Sequence, residues 1–177
     1  MILTTHGYVG ASLFKIFSFY PPLGFFLALI SHFGLDFLSH WDYRLNSLVK
    51  DKSDGCLKFN KHSWSLIIVD ILKITADFFF GLLLIFFFFN LIGYQISFFI
   101  LIAYFLACLP DLNQLFNSLL KLNENSNFLL NIIKRPVEIL HSVHQYSHGF
   151  KKLDFKKGVL SQILIILFVS FLLVLLK

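Results

Sequence analysis

The last apolar segment, from Gly158 to Leu176, limits the fold more than any other feature of the chain. Its only polar residues are Ser161, Gln162 and Ser170. A membrane-spanning helix needs about 20 predominantly apolar residues, and this segment meets that requirement. Lipid offers the backbone no hydrogen-bond partners, so a chain with such a segment is expected to be helical wherever it crosses the bilayer.

Composition extends this prediction to the whole chain. Hydrophobic residues make up 57% of the sequence and charged residues only 14%, compared with about 25% charged in soluble domains. Apolar segments predict about five spanning helices, and a more amphipathic helix, broken or kinked near Pro136, is expected between residues 126 and 149. The predicted spans are residues 5–19, 23–41, 64–90, 95–109 and 158–176. We therefore predict an all-α, polytopic integral membrane bundle that forms a single domain over residues 1–177.

Basic residues predict the orientation of this bundle. The segments 42–63 and 134–157 together hold 11 of the 15 Lys and Arg residues. Basic loops face the cytoplasm, so both segments are expected inside, with the N-terminus inside and the C-terminus outside. The predicted location is the cell membrane, with the bilayer as the partner. Charge runs at membrane edges are usually topology signals, so no nucleic-acid partner is expected.

A column of metal-type side chains interrupts the second apolar segment. His32, Asp36 and His40 are spaced four residues apart, which stacks them on one face of a helix. Imidazole and carboxylate are ligands of zinc and similar divalent ions. Because ionisable groups among apolar neighbours are costly unless paired or ligated, the column predicts a metal site. The alternative is a buried polar network without metal.

A second group of histidines lies near the C-terminus. His141, His144 and His148 again share one helical face, and the last two have the spacing at which two imidazoles bind one metal. This face could instead be hydrated at the membrane surface. His6 could be a helix-start residue, and Asp111 could cap a helix after Pro110.

The predicted topology brings these residues together. The column, the second histidine group, His6 and Asp111 all fall towards the cytoplasmic end of the bundle. Asp70 and Asp77 lie seven residues apart on one face of the third helix. Either carboxylate could ligate a metal, orient a histidine or act as the base. We therefore predict one shared cluster.

Other catalytic classes lack their motifs. The chain has no G-x-S-x-G nucleophile elbow, no phosphate-binding glycine loop and no dinucleotide fingerprint. Apart from Ser161, Gln162 and Ser170, the last helix is apolar, and the third is apolar after Gly81. Polar residues thus do not continue across the bundle, which favours a site at one face over a transport pathway.

Four short patterns resemble those of the membrane-bound metal-dependent hydrolase family. They are His6-Gly7, Ser31-His32-x3-Asp36, Leu109-Pro110-Asp111, and His144 and His148 with Ser147. The His-x3-Asp step is also similar to a ligand pair of the zinc-dependent phospholipase C and single-strand nuclease superfamily, which is all-helical. The resemblance implies a metal-bound hydroxide that attacks a phosphodiester or similar ester. It also implies that the metal ligands are His6, His32, Asp36, His40, Asp111, His144 and His148.

These observations predict a metal-dependent hydrolase of the membrane that acts on a phosphoester or phospholipid at the cytoplasmic face. Zinc is the expected ion, with manganese as an alternative, and Asp77 or Asp70 is the expected catalytic carboxylate. The competing hypothesis is a non-catalytic membrane protein whose His/Asp cluster is structural or binds metal without hydrolysis.

Overall fold

A computed structural model describes residues 3–38, 40–43, 45–50, 57–59, 64–120, 128–147 and 153–177. These residues form six helices and one short antiparallel hairpin, in which Leu48 pairs with Phe59. The helices are α1 (Leu3–Ile16), α2 (Pro21–Asp36), α3 (Trp64–Ile92), α4 (Phe98–Leu120), α5 (Phe128–Ser147) and α6 (Phe155–Leu175). The strands are β1 (Leu48–Lys50) and β2 (Leu57–Phe59). The described part of the chain is therefore predominantly helical, as predicted, but the hairpin was not predicted.

Helix α1 forms the centre of the bundle. It packs against α2, α3, α4 and α6, and its residues from Leu3 to Ser12 are all buried. A helix that is apolar or small on every side is typical of such a central position. Polar groups add specific links: the Tyr8 hydroxyl lies 2.6 Å from the Ser170 hydroxyl, and Thr5 donates to Gln162 at 3.2 Å.

The ends of the helices define two ends of the bundle. At one end, which we call the turn end, the Lys15 amine lies 4.5 Å from the centre of the Tyr94 ring. The Tyr94 hydroxyl in turn donates to the Leu173 carbonyl at 3.0 Å. Since Lys15 is in the last turn of α1 and Leu173 near the end of α6, both helices run towards this end. We call the opposite end, where α1 and α6 begin, the site end.

Three of the described helices are long and apolar enough to cross a membrane: Trp64–Ile92, Phe98–Phe116 and Phe155–Leu175. The prediction of about five spans is therefore wrong. Helices α1 and α2 are only 14 and 16 residues long, because Pro21-Pro22 starts α2 and α2 ends before its apolar run does. Together, α1 and α2 form a helical hairpin: α1 runs from the site end to the turn end, and α2 runs back to the site end.

Neither internal proline ends its helix. Helix α4 continues past Pro110 to Leu120, and α5 continues past Pro136. The predicted end of the fourth helix at Leu109 is therefore wrong, and Asp111 lies inside a helix and not at a cap. Proline costs one backbone hydrogen bond, and packed neighbours can satisfy the carbonyls that it frees.

Glycine permits the close approach of α1 to α4, and a substitution there tests this packing. A Cβ atom at Gly10 would overlap the Ala107 Cβ and come within 3.4 Å of the Ala103 carbonyl oxygen. We expect Gly10→Ala to lower the free energy of unfolding by about 1–3 kcal/mol, as overpacking does. Thermal unfolding in detergent, followed by circular dichroism, measures the change. Gly34→Ala is the matched control, since a Cβ there meets nothing within 4 Å; equal stability of both variants would contradict the packing.

Candidate metal centre

The last turn of α2 supplies the first two members of the site. His32 Nε2 lies 3.2 Å from Asp36 Oδ2, as expected for residues four apart on a helix. The other ring nitrogen, Nδ1, lies 2.7 Å from the Ala107 carbonyl oxygen. A carbonyl can only accept, so Nδ1 carries a proton, and Nε2 is the ring atom that faces the carboxylate.

Helix α1 adds a third member. His6 Nε2 lies 3.4 Å from Asp36 Oδ1, on the side of the carboxylate that His32 does not contact. The two imidazoles are stacked, with 3.9 Å between ring centres. Within the described structure, neither nitrogen of His6 makes a hydrogen bond of normal geometry. Buried polar atoms without hydrogen bonds are rare, and of these two the Nε2 atom faces the Asp36 carboxylate, where a ligand could bind.

Helices α4 and α5 complete the site. His144 Nε2 lies 3.1 Å from Asp111 Oδ1 and 3.3 Å from Asp36 Oδ2. The Asp111 carboxylate also lies 3.9 Å from Nε2 of both His6 and His32. We call the five residues His6, His32, Asp36, Asp111 and His144 the His/Asp cluster. The predicted convergence is thus observed for these five residues, which four helices contribute.

The ligand atoms of the cluster lie close enough together that they could hold a metal ion. They form two groups that share His32, and within each group the ligand atoms lie within 4.8 Å of one another. Ligands bound to one ion at about 2.0–2.2 Å are separated by roughly 3.0–3.5 Å, close to the shorter distances found here. Nε2 lone pairs and carboxylate oxygens are all acceptors, so a cation between them is favourable. Two carboxylates balance the charge of one divalent ion.

The cluster is buried and contains two carboxylates, a combination that could hold a cation. His6, His32, Asp36 and His144 are at most 1% exposed, whereas the Asp111 side chain is 21% exposed. Burial alone would lower the pKa of His144, but the contacts with Asp111 and Asp36 outweigh it and raise the pKa to about 9. The same negative potential that holds a proton on His144 would attract a metal ion.

Two predicted ligands are not in the described cluster. Helix α2 ends at Asp36, so His40 cannot stack on the same helical face and that part of the prediction is wrong. Its Nδ1 lies 2.6 Å from the Leu38 carbonyl and its Nε2 3.3 Å from Asp42 Oδ1. Burial raises the pKa of Asp42, but the contact with His40 and nearby positive charge together outweigh this and lower the pKa. His148, and the side chain of His141, lie outside the described residues.

The predicted catalytic carboxylates both have structural partners. Asp77 accepts from the Leu3 amide at 2.7 Å and from the Thr4 hydroxyl at 2.6 Å. Asp70 accepts from the Ser47 amide at 2.7 Å and from Lys73 Nζ at 2.9 Å. Neither belongs to a group of metal-ligand atoms among the described residues. Asp77 therefore binds the N-terminus of α1 and Asp70 anchors the segment before β1 to α3, while a catalytic role for either carboxylate stays a prediction.

Replacing Asp77 distinguishes a structural role of this carboxylate from a role as a metal ligand. A carboxylate at a helix N-terminus satisfies free amides and interacts favourably with the helix dipole. We expect Asp77→Ala to lower the free energy of unfolding by about 1–3 kcal/mol and to leave the metal content unchanged. Thermal unfolding and elemental analysis measure the two effects. Thr4→Val, which removes one partner and keeps the charge, should cost less; a stable Asp77→Ala variant without metal would instead make Asp77 a ligand.

Sequence reasoning missed the backbone support of His32. The Ala107 carbonyl fixes the orientation of the imidazole, and this kind of outer contact sets which nitrogen can bind a metal. One signal was present in the sequence. Pro110 lies three residues after Ala107, and a proline disturbs the hydrogen bonding of the turn before it.

Comparison of the chain with protein family models, curated proteins and solved structures found no match. The functional assignment therefore depends on the geometry and chemistry of the cluster.

Proposed function

We propose that the His/Asp cluster binds a divalent metal ion and that the protein is a metal-dependent hydrolase of the membrane. The observation that carries this proposal is the convergence of three imidazole Nε2 atoms on two carboxylates from four helices. Zinc is the proposed ion, because imidazole and carboxylate are its usual ligands besides thiolate; manganese is the alternative. The resemblance to membrane-bound metal-dependent hydrolases leads to the same function.

The exposure of Asp111 supports catalysis over a purely structural site. Structural metal sites are closed, whereas catalytic sites keep a position open for water or substrate. Asp111 is the one carboxylate of the cluster with a partly exposed side chain, so the substrate is proposed to approach from its side. A bound ion would make water a nucleophile at neutral pH and polarise the scissile group. His32 and Asp36, held by Ala107 and by the neighbouring imidazoles, keep the buried side rigid.

The position of the cluster along α4 supports a lipid phosphoester as the substrate. Asp111 comes 13 residues after Phe98, the first residue of α4, which is about 20 Å along the helix. The hydrocarbon core is about 30 Å thick, so a cluster on a spanning α4 would lie below the membrane surface. A substrate that reaches it from within the bilayer is a lipid. Lys156 and Lys157, at the start of α6 and so at the same end of the bundle, fit a phosphate-bearing headgroup.

The two basic segments of the chain orient the protein. In sequence, the segment 42–63 lies between the end of α2, at the site end, and the start of α3, and the segment 134–157 leads through α5 to the start of α6, also at the site end. The positive-inside rule therefore assigns this end to the cytoplasm. Helix α6 starts at the site end and finishes at the turn end, so a reporter fused after Lys177 is expected outside the cytoplasm. An alkaline phosphatase fusion should be active and a green fluorescent protein fusion dark. The opposite result would reverse the orientation and remove the cytoplasmic assignment of the site.

A second candidate function has specific support. His144 lies 3.1 and 3.3 Å from the two carboxylates, and its pKa is raised to about 9. A protonated His144 could therefore bridge Asp36 and Asp111 in an ionic network that joins α2, α4 and α5 without metal. In that case the protein would be non-catalytic at this site.

Metal analysis followed by turnover tests distinguishes the two functions. Detergent-purified wild type is expected to hold stoichiometric metal by elemental analysis, and His32→Ala to hold little. Asp154→Asn is the control, since Asp154 caps α6 and belongs to neither group of ligand atoms, and asparagine caps equally well. Phospholipid and simple phosphodiester panels, with zinc or manganese and then with chelator, test hydrolysis. If the protein held metal but hydrolysed none of these substrates, only the metal-binding part of the proposal would stand. Absence of metal would favour the ionic network.

A further inference from the structure

The described side chains of α5 fall on three faces of the helix: one buried, one apolar and exposed, and one polar and exposed. Val137 and His144 point into the bundle and are buried. At 100° per residue, Ile139, Val143 and Tyr146 fall within about 60° of arc on another side, and all three are exposed, Tyr146 by 82%. A third arc of about 60°, next to this apolar face, holds exposed polar side chains. These are Arg135, Glu138 and Ser142.

The depth of α5 along the bundle follows from its contact with α4. The Asn113 side chain of α4 donates to the Val137 carbonyl of α5 at 2.9 Å. Asn113 comes 15 residues after the start of α4 at Phe98, about 22 Å along the helix. If α4 starts at one boundary of a core of about 30 Å, this contact lies roughly 8 Å inside the other boundary. Interfacial helices bury their apolar face to about 5–10 Å.

We propose that α5 lies in the interfacial layer of the bilayer and that phospholipid covers its outer apolar face. Ile139, Val143 and Tyr146 then contact acyl chains near the headgroups, while the polar arc faces headgroups and water. A helix with one face against protein, one apolar and exposed, and one polar and exposed fits the boundary between hydrocarbon and water. The charge of Arg135 suits lipid phosphate.

Two observations favour lipid over a protein partner for this face. Phe116, three residues after Asn113 in α4, is also exposed and apolar and ends a candidate span, so the exposed apolar surface of that span reaches the level of α5. In addition, the depth of α5 follows from the position of Asn113 along α4, so it does not depend on the amino-acid composition of α5. A second copy of the chain remains a distinct outcome of the test.

The lipid contact has a consequence for the cluster, which rests on the proposed function. Of the cluster residues, α5 contributes His144, and in the described structure α5 packs mainly against α4 and to a smaller extent against α2. Lipid pressed against the opposite face of α5 would therefore hold His144 in place. Metal affinity is then expected to be higher in a bilayer than in detergent.

Site-specific labelling tests the lipid contact without reference to metal. Tyr146→Cys and Ser142→Cys are labelled with bimane in a Cys56→Ser background, where Cys108 is buried and unreactive. Both positions are exposed, so both variants should fold. In nanodiscs of phosphatidylcholine and phosphatidylglycerol, iodide should quench position 146 at least about threefold less than position 142. Lipids with a doxyl group near the headgroup should quench position 146 more.

Equal iodide quenching at the two positions would overturn the proposal. Protection of position 146 without doxyl quenching, and dependent on protein concentration, would assign the face to a second copy and also overturn it. The coupling is tested with Ile139→Asn combined with Val143→Asn, which should release zinc faster in nanodiscs than wild type; Ser142→Ala is the control. Unchanged release would refute the coupling. Because the quenching needs no metal, its failure and that of the hydrolase proposal are distinguishable.

Discussion

Replacing Asp36 with asparagine is expected to abolish metal binding while leaving the helices in place. Asp36 contacts every histidine of the cluster, because its carboxylate lies 3.2–3.4 Å from Nε2 of His6, His32 and His144. Asparagine keeps the shape of the side chain but removes one of the two charges that balance a divalent ion. The effect should exceed the 10–100-fold loss of affinity that is typical of outer-contact changes. Elemental analysis after dialysis against a competing chelator measures it.

Two further variants make the result specific. Asp154→Asn carries the same chemical change at an exposed helix cap and should retain wild-type metal content. Asp111→Asn should also lose affinity, but by less, because its partly exposed side chain can be replaced in part by water. Circular dichroism should show unchanged helix content in all three variants. A wild type without metal, together with an Asp36→Asn variant of higher thermal stability, would mean that the cluster is a structural network.

The local pairing of His32 with Asp36 could be predicted from the sequence because it depends only on helical spacing. The end of α2 could not be predicted in the same way. Apolar residues continue through Phe37, Leu38 and Trp41, and nothing in that pattern marks Asp36 as the last helical residue. The sequence therefore placed His40 one turn further along the same helix, whereas it lies beyond the helix end and contacts Asp42.

The choice among carboxylates also needed the structure. A buried aspartate in an apolar helix must be paired, but the sequence does not say whether its partner is a metal, a lysine or the start of another helix. Asp77 binds the first amides of α1, and Asp70 binds Lys73 and the Ser47 amide. These long-range contacts depend on how the helices pack. His6 and Asp111, by contrast, were predicted to converge because the topology put them at one end, and that reasoning holds with three candidate spans instead of five.

Removing the metal from wild-type protein should lower its thermal stability by a large amount. The cluster joins α1, α2, α4 and α5, so an ion there would cross-link four helices at once. A ligand that binds only the folded state stabilises it by about 4 kcal/mol when its free concentration is 1,000 times the dissociation constant. Without it, Asp36 and Asp111 lose a cation that would balance both of their charges. We therefore expect a clear fall in the unfolding temperature when chelator is added in detergent.

The matched comparison is the same titration with Asp36→Asn, in which zinc and chelator should leave the unfolding temperature unchanged. Gly34→Ala, in which the added Cβ meets nothing within 4 Å, should show the same change in unfolding temperature as wild type. An equal response of wild type and Asp36→Asn would mean that zinc acts elsewhere on the protein. A site that needs zinc to hold four helices together and still leaves Asp111 partly open would combine structural and catalytic roles, because the buried side of the shell fixes the ion while the open side admits the substrate.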